Sequence, residues 1–225
     1  MHRISGAVIA AAAAVMVGGV RWASAEHVPM PLQTMPRHIE LGRPTLPPVA
    51  YTLFCLHYEA ECRSSRLFRG GPVRLTEKRW ADLQEINRGI NMAIAPVRNE
   101  RGLAGEEWTI NPDHGDCNDY AVSKRHGLLQ RGWPARALLL SEVVVGSGEH
   151  HLVLLVRTRS GDFVLDNLTP RIRLWSRVQY RWVRAQAPGH GRLWATIAGK
   201  AVTRMRFEET VLELNTNTAI AVPAP

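Results

Sequence analysis

Cys117 is the residue in this chain best placed for covalent chemistry. It follows Asn111-Pro-Asp-His-Gly-Asp, in which Pro112 and Gly115 are turn formers and Asp116 is a good N-cap. Cys117, Tyr120, Ala121 and Leu128 then recur at helical spacing. One face of a helix over 116–131 therefore points inward, and the sulfur begins it. A thiol at a helix N-terminus feels the positive end of the dipole, which favours the thiolate, the form that attacks carbonyls. The competing reading is a buried structural cysteine. A cysteine nucleophile needs a base that takes and returns a proton, and a third group that fixes the imidazole. His126 lies about two and a half turns along the helix from Cys117 and faces the other way. His114 sits in the turn without rigid support, and His190 lies in a Pro-Gly-His-Gly loop. His150 and His151 open an apolar strand, and alternation sends them to opposite faces, so one of them can look at the helix start. Asp166 ends the otherwise apolar run Phe163-Val-Leu-Asp-Asn, where an unpartnered buried carboxylate would be costly.

Spacing alone does not bring Asp166 to His151. A two-residue turn at Ser160-Gly161 pairs Asp166 with Leu155, on the face of His151 but four residues along, roughly 13 Å away. A bulge, a strand offset or strong twist must close that gap, and one extra residue in the turn would flip the face.

The elements that position these residues follow from periodicity. Thr76 can cap a helix whose stripe of Trp80, Leu83, Ile86, Ile90, Ala93 and Ile94 runs until Pro96. Residues 97–115 read as irregular, with Trp108 as their large aromatic anchor. The cysteine helix stops at Gly132-Trp-Pro, after which the period becomes that of strands at 135–145, 150–158, 163–167, 178–185 and 192–197. Helices first and an antiparallel sheet afterwards is the α+β pattern.

The opening bounds the compartment. His2 and Arg3 precede an apolar run over 7–20, and Ala23-Ser-Ala fits a cleavage site, so residues 1–25 read as an export signal. The run is short of the roughly 20 residues a membrane span needs. Removing it takes away Arg3 and Arg21 and no acid, which lowers the formal net charge from +8 to +6. No Lys/Arg block with interleaved aromatics accompanies that charge, so nucleic-acid binding has little support. Residues 26–50 carry six prolines and read as an extended lead-in, 51–215 as one domain, and 216–225 as a frayed tail. In an oxidising compartment Cys55 and Cys62 are natural disulfide partners, with zinc held by both and His57 as the weaker option. That pairing leaves Cys117 odd, and catalysis is the commonest reason to keep a free thiol in an exported protein.

Taken in order, Gly115-Asp-Cys-Asn-Asp-Tyr-Ala, Lys124-Arg, Gly132-Trp-Pro, His151-Leu-Val-Leu and Gly161-Asp-Phe-Val-Leu-Asp-Asn-Leu resemble the bacterial transglutaminase-like cysteine proteinase family. The resemblance covers roughly residues 50–200, and Cys55, Cys62, Leu75-Thr and Arg79-Trp are similar to its exported, disulfide-bearing branch. It implies a papain/transglutaminase-like fold, with the cysteine helix packed on the sheet that bears the histidine and the acid. Cys117 then matches the nucleophile. His151 rather than His150 matches the base, because it directly precedes the apolar triplet, and Asp166 matches the third member. Members of this kind bind calcium through acidic residues flanking the cysteine. Asp116 and Asp119 match those positions, but Asn118 stands where such members carry an acid, and losing a carboxylate weakens a hard-cation site. No other cofactor is expected. The resemblance also implies a protein substrate in the cell envelope, such as a surface adhesin, and restraint by an inner-membrane receptor. The resulting expectation is a periplasmic or secreted cysteine endopeptidase whose oxyanion is held by the Cys117 amide and a group near Trp108. The same triad could transfer an acyl group to an amine or cleave a cell-wall amide. A non-catalytic envelope binding module is the alternative from a different class.

Overall fold

The computed structural model describes residues 37–63, 72–98 and 106–198. The expected signal at 1–25 and the tail at 216–225 lie outside the described residues. Three helices, α1 (Val49–His57), α2 (Glu77–Ala93) and α3 (Cys117–Gln130), pack on one antiparallel sheet. Its strands are β1 (Leu41–Thr45), β4 (Leu138–Val144), β5 (His150–Thr158), β6 (Gly161–Leu165), β7 (Arg173–Leu174), β8 (Arg181–Ala187) and β9 (His190–Ile197). The spatial order is β1-β9-β8-β4-β5-β6-β7, while β2 (Ala95–Pro96) and β3 (His114–Gly115) form a separate parallel pair. The architecture is α+β.

Strand alternation gives the sheet two apolar faces. Leu138, Leu140, Leu152, Leu154, Val156 and Leu165 face the helices, with Leu83, Ala121 and Leu128 among their partners. Leu139, Val143, Val153, Leu155 and Val164 face the other way, against Ile39, Trp175 and Trp182. Helix α3 lies in the middle, and every residue from Asn118 to Arg125 is buried.

Two segments differ from the sequence reading. Residues 41–45 of the expected lead-in form the edge strand β1, paired to β9, and residues 49–57 form a helix where the sequence reading assigned no element. The apolar residues of α1 surround it, Val49, Leu53 and Leu56 being exposed, so no amphipathic period marked it in the sequence. The Cys55–Cys62 disulfide closes the turn that follows, with Cα atoms 5.5 Å apart.

The register of the β5–β6 hairpin decides where Asp166 falls. Thr158 pairs with Gly161 and Leu154 with Leu165, so the turn is Arg159-Ser160. The sequence reading had placed it one residue later. Gly161 has φ +129, a conformation open to glycine, and this lets the chain reverse there. In this register Asp166 continues opposite Val153, two residues from His151 instead of four. The gap falls from roughly 13 Å to roughly 7 Å, which two side chains can span.

Candidate active site

Asp116 caps α3, its Oδ1 accepting from the Asn118 amide at 2.9 Å, while Asp119 Oδ2 accepts from the Asp116 amide at 2.9 Å. This reciprocal box fixes the first turn and so fixes Cys117. The preceding loop is sewn to the same helix. Thr109 N donates to Asp119 Oδ1 (2.7 Å), and Asn111 N donates to Ser123 Oγ (2.7 Å).

Pairing between β5 and β6 ends at Leu154 and Leu165, so the first residues of β5 are uncovered on that side. The Leu152 backbone there favours the charged form of the Cys117 sulfur. That associates the thiol with the end of β5 that carries His151.

His151 is 7 % exposed and Asp166 is 2 % exposed. His151 Nε2 lies 2.9 Å from Asp166 Oδ1, which also accepts from the Leu168 amide at 3.0 Å. The Tyr180 hydroxyl donates to Oδ2 at 2.5 Å, and Asn91 Nδ2 donates to the Asp166 carbonyl at 2.9 Å. Burial pushes the Asp166 carboxyl up, but the bonds from His151, Tyr180 and Leu168 and the His151 charge outweigh it and hold it below the usual range. Asp166 is a fixed anion, and the ring nitrogen of His151 left over is Nδ1.

The other histidines are placed elsewhere. His150 is exposed, with Nδ1 2.5 Å from Glu142 Oε1, and His126 Nδ1 lies 2.7 Å from Glu61 Oε1. His114 and His190 are both exposed.

The charge state of the thiol departs from the sequence expectation. Burial pushes Cys117 up to about 12, with the carboxylates of Asp116, Glu106 and Asp119 adding to it and the Leu152 amide opposing it. The helix dipole favours a thiolate, but partial burial beside three carboxylates outweighs a dipole effect worth about 0.3–1 kcal/mol. Burial thus favours the thiol form of Cys117.

The calcium expectation rests on Asp116 and Asp119. Both Asp119 oxygens hold backbone amides, and Asn118 Nδ2 donates to Glu106 Oε1. Among the described residues, no group of three or more His, Cys, Asp or Glu side chains converges as metal ligands. Asp116 and Asp119 are thus engaged in capping α3. Burial first, and then the Asp116 and Glu106 charges, push Asp119 up to about 6.

The sequence reading missed Tyr180, Asn91 and Lys124 near this pair. Tyr180 stood in a strand candidate, and only the fold shows that its hydroxyl reaches Asp166. Lys124 carried a legible signal. It lies seven residues after Cys117, two turns along, on the same inward face.

The sequence model of the bacterial transglutaminase-like cysteine proteinases, BTLCP, matches residues 41–202. The chain belongs to this family. It is a transglutaminase-like cysteine peptidase. Solved structures similar to it include Legionella pneumophila LapG, at 24% identity over 52% of this chain and 68% of that one, with a TM-score of 0.43. Calcium-bound LapG from the same organism is 19% identical over 60% and 80% of the two chains, TM-score 0.44. The EGTA-treated form is 19% identical over 60% and 78%, TM-score 0.43. No curated protein sequence matches the chain. Among the described residues of this BTLCP member, no helix is long and apolar enough to cross a membrane.

Proposed function

We propose that this peptidase is an exported endopeptidase that cleaves a protein of the cell envelope through Cys117, His151 and Asp166. The observation that carries the reading is the buried 2.9 Å bond from His151 Nε2 to Asp166, on the strand whose next residue, Leu152, bears on the Cys117 sulfur. His151 Nδ1 takes the thiol proton as the sulfur adds to the scissile carbonyl. The same imidazolium returns the proton to the leaving amine, and water then hydrolyses the thioester. Asp166 holds the ring in one tautomer and offsets the imidazolium charge. Of the donors expected for the oxyanion, the Trp108 indole N–H is committed to Glu106 Oε1 (3.1 Å) and the Thr109 amide to Asp119. The Cys117 amide is therefore assigned that role. The substrate class, a surface adhesin above all, and restraint by an inner-membrane receptor come from the family resemblance.

The test compares proteins released from the envelope of cells carrying the wild type or Cys117→Ala. The variant is expected to release none of the fragment that the wild type produces while keeping its melting temperature. Continued processing by Cys117→Ala would overturn the nucleophile.

A further inference from the structure

A groove of about 650 Å³ runs between α2 and the segment that leads into β7. Its apolar surface comes from Trp80 and Ile172, both packed on the helix-side core. Its charge comes from Arg88, Arg171 and Arg173, all exposed. Among the described residues none of these three arginines has a carboxylate partner. The acid that lines the groove, Glu85, is taken by Arg131 at 2.8 Å. Asp82, one turn earlier on α2, is held by Arg131 and by the Trp133 indole at 3.2 Å each. The acids of this helix are thus neutralised, and the groove is left positive.

The spacing of these groups suits an extended chain. Trp80, Gln84 and Arg88 recur every four residues and lie along one face of α2. Opposite them, Arg171 and Arg173 are exposed on either side of the half-buried Ile172, the alternation of a strand. Two such arginines stand roughly 7 Å apart, the repeat of alternate side chains in any extended peptide. β7 is also the outermost strand on its side of the sheet. Helix α2 ties this wall to the catalytic pair, since Asn91 Nδ2 holds the Asp166 carbonyl and Asn87 Nδ2 that of Pro170, at 3.2 Å. Pro170 lines the groove four residues after Asp166, so the wall begins no farther than about 14 Å from it. A small anion would leave Trp80 and Ile172 uncovered, and a flat membrane surface would not enter a groove.

We propose that this groove is an exosite for an acidic, extended segment of the protein substrate, a few residues from the bond that is cut. Carboxylates two residues apart meet Arg171 and Arg173, another meets Arg88 across the groove, and an apolar side chain between them covers Trp80 and Ile172. Contacts this far from the reacting atoms are the same in the ground state and the transition state. They therefore lower KM and leave kcat alone. Naming the occupant as substrate rests on the peptidase reading above.

The test uses the full chain and two triple variants. One, Arg88→Gln with Arg171→Gln and Arg173→Gln, strips the groove of charge. The other, Arg43→Gln with Arg181→Gln and Arg192→Gln, removes the same charge from exposed positions elsewhere. On the envelope protein that the wild type processes, the groove variant should raise KM about tenfold, three exposed charge pairs being worth roughly a factor of two each. The other variant should stay within about twofold. Equal changes in the two variants, or an unchanged KM in the groove variant, would overturn the proposal. A second arm needs no turnover and uses Cys117→Ala with a fluorescein-labelled peptide of alternating glutamate and leucine, read by anisotropy. The groove substitutions should weaken its binding about tenfold, and the glutamine counterpart of the peptide should bind poorly throughout. Equal binding of both peptides would overturn the proposal. So would a groove variant that loses only its binding to phosphatidylglycerol vesicles. Should the groove variant fail to fold, competition in the wild type decides: the acidic peptide must raise KM and its glutamine counterpart must not. Failure of the peptidase reading would appear separately, as processing by Cys117→Ala.

Discussion

Asp166→Asn removes one charge while nearly preserving shape. The three side-chain and backbone groups that meet the carboxylate, His151 Nε2, the Leu168 amide and the Tyr180 hydroxyl, all act as donors. An asparagine whose oxygen takes the Oδ1 position keeps the first two bonds. Its NH₂ then faces the Tyr180 hydroxyl, which can rotate to accept. The geometry survives, and what disappears is the attraction between an anion and the imidazolium formed during attack. At about 4 Å and an effective dielectric of about 20, that attraction is on the order of 4 kcal/mol, or roughly 10³-fold in rate. The assay is kcat/KM on the envelope protein whose processing distinguishes the wild type from Cys117→Ala, with circular dichroism as the control on folding. A folded Asp166→Asn protein within about threefold of the wild type would refute the assignment of His151 as the proton carrier. The same substitution has a signature in stability. Asp166 titrates below the usual range in the fold, so its contribution is complete above the unfolded value of about 3.9 and is lost as the pH falls through the lower folded value. Asp166→Asn should therefore flatten the acid side of the stability profile below about pH 4.

Two further outcomes follow from features away from the charge pair. Glu61→Ala leaves the buried Arg125 guanidinium without its 2.8 Å partner, and chemical denaturation should show a loss of about 3–5 kcal/mol. A loss under 1 kcal/mol would mean that water reaches that arginine. EGTA should leave the rate of Cys117 alkylation by iodoacetamide unchanged, because Asp119 holds backbone amides with both of its oxygens. Complete loss of reactivity in chelator would overturn the reading of this aspartate as a cap.

The parts of the fold legible in the sequence were those in which one residue type has one physical use. Thr76 caps α2 by accepting from the Arg79 amide, and Gly132, at φ +79, ends α3, both as residue chemistry suggests. The opposed facing of His150 and His151 needed only the pleat. The Cys55–Cys62 pairing needed only the short spacing and an oxidising setting. What could not be read depends on contacts between distant segments. The hairpin turn lies one residue earlier than its Ser-Gly dipeptide suggested, because Gly161 pairs with Thr158 and sits inside the strand. The dipole at the helix start favours a thiolate, but burial of the sulfur first, and then the charges of Asp116, Glu106 and Asp119, push the thiol up, and that burial could not be read from spacing. The role of Tyr180 required β8 and the segment leading into it to be placed beside Asp166.

The turn closed by Cys55 and Cys62 is more than a local staple. Glu61, within it, grips both Arg125 and His126 on the back of α3, and the Cys62 carbonyl lies so close to Gly191 that no side chain could fit on β9 there. Reduction of this one bond would slacken the grip on the helix that presents the sulfur while leaving that sulfur chemically intact. A copy of the chain held in a reducing compartment would carry a looser scaffold around its reactive thiol. The oxidised bond keeps that grip closed where disulfides endure.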